Sequence, residues 1–384
     1  MSDCFLPRLG GIEVQVDELS RAQLAAGHDV SIATATPCRT VRALDRLPMD
    51  PPPGRPPLDP PPVHRLVAPM PWELPIGRSL HPVLAVRKPD IVHVHAGAVS
   101  PFAWRAVEQA RRARIPLVLT VHSLWGPAGR GVYRGLFASW ARDAGGLVVT
   151  TVSEAAAAPV RQVVAGRLPV RIVANGIDTS RWHDFAHAPI RLRTMPDADD
   201  PLHVVAVGRL APRKEPMNLL RLLREVGAAA PIRATIVGDG PARARMERYL
   251  RRHRMSGWVR LTGRLDRSAV RGVLARADVF LAPAARESFG LAALEARLAG
   301  LPVVAQAGSG VADFVESGRE GLLGRTFPDM SAALLRLARD HRLRHRITAH
   351  NRVTEPSRCT WPAVLDDFGE CYELASAKTP LAHL

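Results

Sequence analysis

The sequence predicts an α/β protein built from two Rossmann-like, doubly wound parallel-sheet domains facing a cleft. Three observations carry this. Short runs rich in Val, Ile and Leu alternate with helical patterns along the whole chain, which is the signature of parallel sheets. The runs form two sets, separated by a stretch near residues 180–201 where polar residues and prolines accumulate. The chain has 384 residues and is 47% hydrophobic, enough for two or three domains with sizeable cores.

In the first set, HDVSIAT (28–34), DIVHVHA (90–96), PLVLTVH (116–122), GLVVTTV (146–152) and VRIVANG (170–176) read as strands ending near turns. The second set contains LHVVAVG (202–208), IRATIVG (232–238), WVRLTG (258–263), DVFLAP (278–283) and LPVVAQ (301–306). The expected division is a first domain over 1–185, a linker over 186–201 and a second domain over 202–359, with 360–384 as a terminal helical segment. Ligands of such domains sit at the carboxyl ends of the strands, so the cleft is the expected site. Residues 48–62, PMDPPPGRPPLDPPP, hold nine prolines and are expected as a stiff, exposed polyproline loop.

No run reaches eighteen apolar residues and no signal-peptide core opens the chain, so a cytoplasmic protein without a membrane span is expected. Cys4, Cys38, Cys359 and Cys371 are scattered, suggesting neither a disulfide framework nor a zinc site. The formal net charge is +16. Nearly exclusive use of arginine, with abundant alanine and proline, looks like codon bias and accounts for part of it. No aromatic-interleaved basic run, zinc finger or helix-turn-helix pattern supports nucleic acid as a partner. An anionic membrane surface fits the excess better. Arg39, Arg42 and Arg46 recur at helical spacing, and Tyr133, Leu136, Phe137 and Trp140 form a stripe flanked by Arg130, Arg134 and Arg142. That stripe reads either as a membrane-facing surface or as core.

ESFGLAALEARLAGLPVVA, residues 287–305, is the most informative segment. Ser288 is suited to cap a helix starting near Phe289 or Gly290, whose free N–H groups and positive dipole end would meet a phosphate. Gly290 lets the backbone approach a ligand. Leu291, Leu294 and Leu298 form the apolar stripe, and Glu295 lies beside it, half buried, where ribose hydroxyls would supply its partners. A hydrolase pair of carboxyls stands about 5–10 Å apart. Eight residues of helix would rise about 12 Å and turn the two side chains about 80° apart, so Glu287 and Glu295 are not expected to act together on one glycosidic bond. Lys214 is singled out by composition: with Lys88 and Lys378 it makes up all the lysine among 52 basic residues. A compact ammonium suits a point contact to phosphate.

Glu287 and Glu295, with seven residues between them, resemble the signature of the retaining glycosyltransferases of family 4, which have the GT-B fold. Other segments match that family in the same order, from LPRLGG (6–11) to the region of Trp361. The resemblance implies that Glu287 contacts the sugar hydroxyls and Glu295 the ribose. VGRLAPRKE (207–215) resembles the phosphate-binding loop, with Arg209 and Lys214 neutralising the donor diphosphate. IVGDGPAR (236–243) and NGID (175–178) match the strand-turn-helix after that loop and the segment leaving the first domain. In LPRLGGIE, Gly10 and Gly11 would admit diphosphate and acceptor against the backbone. Gly208, Arg264, Ser288, Phe289, Gly290 and Leu291 complete the implied donor-binding set. In TVHSLWG (120–126), His122 stands where family members carry a histidine near the donor sugar and acceptor. HSLWG is also similar to the HSLFG run of phosphatidylinositol N-acetylglucosaminyltransferase catalytic subunits, which points toward a lipid-like acceptor. His93 and His95 lack a third metal ligand, and His95 is read as a strand-end residue near the acceptor pocket. Residues 360–376 resemble the family's terminal helix, which crosses back to the first domain.

The resemblance implies a hexosyltransferase taking a UDP- or GDP-sugar to a hydroxyl on a lipid or glycan acceptor, with retention and with no metal or other cofactor. DAD at 197–199 mimics a metal-binding motif of another glycosyltransferase fold and reads as solvated acid. Two alternatives stay open: a sugar-nucleotide epimerase or synthase on the same fold, and a non-catalytic nucleotide-sugar or membrane-binding scaffold. In one respect the chain departs from the family: the hydrophobic strand that precedes SDCFLPRLGG in family members is absent, and a start set downstream of the true one is the expected reason. That strand is central in a doubly wound sheet, so the chain as written is expected to be poorly stable and a longer one more stable.

Overall fold

The computed structural model describes residues 1–8, 10–37, 60–68, 76–143, 146–182, 184–185, 197 and 200–377. Arg39, Arg42, Arg46, most of the 48–62 proline run, most of the 186–201 linker and Lys378 lie outside the described residues. The chain divides into two compact units, Met1–Asp178 with Ser357–Leu384, and Thr179–Pro356.

In the first unit, β1 (Ile32–Thr34) pairs in parallel with β2 (Val63–Arg65). A second parallel sheet runs β3 (Val92–Ala96), β4 (Leu117–Val121), β5 (Leu147–Thr151) and β6 (Val170–Ile172). Every residue of β4 and β5 is buried, as expected of parallel strands covered on both faces. Between the two sheets stand Met1 and Ser2. Ser2 bridges Thr34 on one side and His95 on the other; Ser2 N–H donates to Ala33 O at 3.1 Å and His95 N–H to Met1 O at 2.8 Å. Helices α1 (Gly11–Ala25), α2 (His81–Arg87), α3 (Pro101–Arg112), α4 (Pro127–Trp140) and α5 (Glu154–Val164) pack around these strands. Ser153 caps α5 by accepting the Ala156 N–H.

The second unit has one parallel sheet in the order β12 (Gly321–Gly324), β11 (Val303–Gln306), β10 (Val279–Ala282), β7 (Leu202–Val207), β8 (Ile232–Val237), β9 (Val259–Gly263). From β7 the chain first builds outward through β8 and β9, then returns to the other side of β7 for β10. That makes the β7/β10 pair the topological switch point, where doubly wound sheets open a crevice at the strands' carboxyl ends. Its helices are α6 (Pro216–Gly227), α7 (Arg243–Arg252), α8 (Arg267–Leu274), α9 (Leu291–Leu298), α10 (Phe327–Arg339) and α11 (His341–Val353). Leu202, Val204, Leu220, Leu223, Val279 and Leu334 sit at the centre of the core.

The final helix, α12 (Trp361–Ala377), belongs to the first unit. Val364, Phe368, Cys371 and Ala375 lie at near-helical spacing and bury against Leu19, Val118 and Val148. Its approach is fixed by Ile177 N–H donating to Cys359 O at 2.8 Å. Gly176 is required here, since a Cβ on it would overlap the Trp361 ring.

Several expectations need correction. β2 and β12 were not expected from the sequence: β2 is three residues beside the proline run, and β12 is GLLG, which carries neither β-branched residues nor alternation. β1 covers only the last three residues of the expected strand. The stripe on α4 is core, with Tyr133 and Phe137 fully buried and Trp140 nearly so. Trp125 stacks on Tyr133 at 3.8 Å between ring centroids, so these aromatics offer no face to a membrane.

Candidate active site

At the switch point, β7 ends at Val207 and the chain turns through Gly208 and Arg209, both exposed, to the single 3-10 turn Pro212–Lys214. Two glycines from the next loop hold this turn against the sheet. Gly208 N–H donates to Val237 O at 2.9 Å and Leu210 N–H to Asp239 O at 3.0 Å. Gly238 and Gly240 have positive φ, 135° and 159°. A Cβ on Gly238 would overlap Gly208 O, and one on Gly240 would come within 2.6 Å of Leu210 O. The GDG sequence, which by itself reads only as a turn, is thus the surface on which the Arg209–Lys214 loop rests. Arg264 is exposed just after β9, whose last residue, Gly263, hydrogen-bonds Gly238.

From β10, the chain leads to Glu287, whose carboxylate is in direct contact with the Lys214 ammonium. The fold thus brings together two of the residues singled out in sequence. Glu287 O accepts from Gly310 N–H at 2.9 Å, and Phe289 is buried against Phe314 with centroids 5.3 Å apart. The helix cap differs from expectation. It is Gly290, not Ser288, at φ 99° and with no side-chain cap bond. A Cβ there would meet Val311 Cγ2 at 2.6 Å, so both backbone conformation and space call for glycine. α9 starts at Leu291, so Glu287 precedes the helix and only Glu295 is carried by it; the helical rise between the two glutamates does not apply. The first-turn N–H groups of Leu291 and Ala292 precede the first intrahelical acceptor, Gly290 O, which takes the N–H of Ala293 and Leu294. Glu295 is half buried one turn further on, and Leu294 is fully buried.

In the first unit, Gly10 caps α1 and Gly11 is its first residue. The space above Gly10 is taken by the Glu13 carboxylate: a Cβ would overlap its Oε2. Glu13 is buried and its Oε1 lies 3.3 Å from Arg8 Nε. Sequence reading missed Glu13, although an acid in the first turn of a helix behind two glycines is the signal that could have found it.

His95 is the penultimate residue of β3 and His122 follows β4, and both are buried. His95 Nδ1 and His122 Nε2 are 2.9 Å apart. His93 stacks on His95 with centroids 4.2 Å apart. Its own nitrogens bond Tyr372 Oη at 2.9 Å and Thr120 Oγ1 at 2.7 Å, so it is a satisfied core histidine and not half of a metal pair. Among the described residues, no group of three or more His, Cys, Asp or Glu is arranged to hold a metal ion. Burial lowers the His122 pKa to about 4. Burial and the neighbouring imidazoles hold His93 and His95 well below the usual histidine value. All three rings are therefore neutral at physiological pH.

Sequence comparison agrees with this geometry. The profile described as Glycosyltransferase Family 4 matches residues 9–181, and that of Glycosyl transferases group 1 matches residues 194–354. The chain belongs to the family 4 glycosyltransferases. It is 29% identical over 330 residues to a phosphatidylinositol N-acetylglucosaminyltransferase subunit of Arabidopsis thaliana, covering 81% of this chain and 67% of that protein. To the GDP-mannose-dependent alpha-mannosyltransferase of Mycobacterium tuberculosis it is 28% identical over 392 residues, covering 97% and 95%. Its fold is similar to that of Anabaena HepE, solved in complex with UDP, with TM-score 0.72, 17% identity and coverage of 97% and 100%. The fold is GT-B.

In this glycosyltransferase, the switch point of the second unit gathers the Lys214 ammonium, the Glu287 carboxylate and the start of α9, with Arg209 exposed on the same loop as Lys214. That arrangement suits a group leaving with negative charge, because each element is in place before charge develops. The 73-residue separation of Lys214 and Glu287 means that the contact exists only in the folded sheet. Among the described residues, no helix is long and apolar enough to cross a membrane.

Proposed function

We propose that the protein transfers a hexosyl unit, with retention, from a UDP- or GDP-sugar to an acceptor hydroxyl on a membrane lipid or cell-envelope glycan precursor, without a metal. The observation that carries this is the Lys214–Glu287 contact beside the N-terminus of α9, at the switch point. In the absence of donor, the two charges hold each other. When a diphosphate enters, Lys214 and Arg209 turn to its oxygens, and Glu287 is released to accept hydrogen bonds from the sugar hydroxyls. Glu295 takes the ribose hydroxyls, while Gly208, Ser288, Phe289, Gly290, Leu291 and Arg264 shape the rest of the donor pocket. The growing charge on the departing diphosphate meets two cations and a helix dipole, which supplies the role a metal would otherwise have. His122, neutral and bonded to His95, offers a hydrogen-bonding imidazole toward the donor sugar and acceptor.

The relatives support the sugar-nucleotide reading: one is a GDP-mannose-dependent mannosyltransferase, one belongs to a phosphatidylinositol N-acetylglucosaminyltransferase, and the solved HepE carries UDP. With the α4 aromatics in the core, any attraction to an anionic cytoplasmic membrane surface rests on the +16 charge and on the spacing of Arg39, Arg42 and Arg46 in the sequence, and a salt-sensitive co-sedimentation with anionic vesicles tests it.

The deciding experiment measures nucleoside diphosphate released from UDP-glucose, UDP-N-acetylglucosamine and GDP-mannose, with and without extracted membrane lipid. Acceptor-stimulated release from one donor, absent in Lys214→Ala, is expected. Conversion of the sugar nucleotide without acceptor would favour an epimerase, and donor binding without turnover a scaffold.

A further inference from the structure

On the second unit, positive charge gathers on one surface. α7 buries Met246 and Leu250. At about 100° per residue, Arg245, Arg248 and Arg252 lie within about 60° of one another on the opposite side, and Arg251 is about 60° further round. All four are exposed, as is Arg254 just past the helix. Their five guanidiniums have no hydrogen-bond or ion-pair partner among the described residues. α6 continues the surface: Arg224 lies over the Tyr249 ring at 5.8 Å, with its Nη1 3.0 Å from His253 Nδ1, and Arg221, one turn earlier, is exposed. Of the two acids on these helices, Glu247 is paired with Arg243 at 2.9 Å and Glu225 is exposed. Desolvation and the Arg224 and Arg252 guanidiniums hold His253 below the usual histidine value, so a further cation is disfavoured here.

Codon bias explains why these residues are arginine and not lysine. It does not explain why unpaired arginines outnumber acids so heavily on one face. Like charges three and four residues apart destabilise a helix, and only Arg251 and Arg252, in the last turn of α7, gain from the helix dipole. An anionic surface reverses the sign of that repulsion. The chemistry of the face narrows what such a surface is. Among the described residues, the exposed large hydrophobics are Val86, Val99, Val132 and Val353, none of them on α6 or α7. Tyr249 is half-buried beneath Arg224. The face therefore offers neither an apolar wedge for insertion into a bilayer nor a free ring for stacking nucleic-acid bases. It offers charge density alone, which a layer of anionic headgroups meets. α6 begins directly after Lys214, and α7 shortly after the Gly238–Gly240 turn, so the face starts beside the candidate donor site.

We propose that the outer face of α6 and α7 is a docking surface for anionic phospholipid headgroups, and that it holds the second unit to the membrane by charge without insertion. This rests on the reading that the acceptor is carried by a membrane. The test below uses neither donor nor acceptor, so it succeeds or fails apart from the transfer reaction.

The full chain is co-sedimented with phosphatidylcholine vesicles with and without phosphatidylserine, at low and at high salt. Arg245→Glu, Arg248→Glu and Arg252→Glu are combined in one variant. A second variant combines Arg78→Glu, Arg167→Glu and Arg276→Glu, three exposed arginines from separate loops, and changes the net charge by the same amount. Binding of the wild type to the anionic vesicles only, lost at high salt, is expected. A basic residue near such a surface contributes a factor of about five in affinity, so the α7 variant should bind at least about 100-fold more weakly, and the scattered variant within a few-fold of wild type. Melting temperatures and UDP affinity close to wild type check that both variants fold. Should the charge reversal disturb α7, the same three positions as glutamine should still weaken binding by more than tenfold. Equal losses in the α7 and scattered variants mean that net charge alone acts and overturn the proposal. Wild-type binding that is absent at low salt, or equal on neutral vesicles, does the same. A duplex oligonucleotide that binds where the anionic vesicles do not, and that the α7 variant no longer binds, assigns the face to nucleic acid instead.

Discussion

Lys214 and Glu287 are in contact across the switch point, tying the loop after β7 to the loop after β10. The pair is partly exposed, with side chains 30% and 18% accessible, so it adds little to stability. Its consequence is for ligand binding: a donor diphosphate finds a cation already positioned and a carboxylate ready to be freed.

Lys214→Ala and Arg209→Ala are therefore each expected to lower kcat by about 10²–10³ under saturating donor, with melting temperatures close to wild type. The measurement is steady-state release of nucleoside diphosphate beside a thermal melt. Near wild-type turnover in either variant removes that residue from the diphosphate contact.

The glycines of the same loops separate packing from ligand approach. Gly208 has open space where a Cβ would stand, whereas Gly238 has positive φ and would overlap Gly208 O. Gly238→Ala is expected to destabilise the second unit by about 1–3 kcal/mol or more. Gly208→Ala should fold as the wild type does and weaken donor binding, because only the ligand meets the new methyl. Urea unfolding and UDP titration on both variants check this; a Gly208→Ala chain that binds UDP normally means that the diphosphate does not approach that backbone.

How much of this was legible in the sequence depended on how local the signal was. Buried strands such as LVLTV and LHVVAV declare themselves by unbroken apolar character, and the parallel sheets followed from their alternation with helices. GLLG and the three residues of β2 are edge or short strands that form because neighbours offer hydrogen-bonding partners, which no local pattern reports. At the site, residue types pointed to Lys214, Glu287 and His122. The cap is Gly290 and not Ser288, and Val311, a residue of another loop, leaves no room for a side chain there. The filling of the space above Gly10 by Glu13, and the support of Gly208 by Gly238, are likewise contacts between turns. The aromatic stripe of α4 was ambiguous because a buried and a membrane-facing helix share one period, and only Trp125, packed on Tyr133, decides between them.

The three histidines give a pH dependence of definite sign. His122 titrates near 4 and His93 and His95 well below 6.5 in the folded chain, so between these values the unfolded state binds protons that the folded state refuses. This contribution to stability is complete above pH 6.5 and is lost as pH falls. Urea midpoints should fall from about pH 7 to about pH 5, and less steeply in His95→Asn. Likewise, kcat/KM should show no limb near pH 6.5 assignable to His122. A limb near that value, abolished by replacing His122, would mean that the ring titrates freely and is not held neutral.

Asp3 gives the opposite sign and can be isolated. It is buried, its Oδ1 accepts the Phe102 N–H at 2.9 Å at the start of α3, and desolvation raises its pKa from 3.8 to about 6. Between those values the folded chain holds a proton that the unfolded chain has released. The associated stability is present below pH 3.8 and lost as pH rises through 6. Above it the charged carboxylate costs up to about 3 kcal/mol. Asp3→Asn keeps an oxygen for the Phe102 N–H and removes the charge, so at about pH 8 it should be more stable than wild type. That advantage should shrink steadily as pH is lowered, because the wild-type carboxyl then becomes neutral too. Chemical denaturation of both chains across that range is the measurement. An Asn variant less stable at every pH would show that the ionised carboxylate at the head of α3 contributes more through the helix N–H groups than its burial takes away.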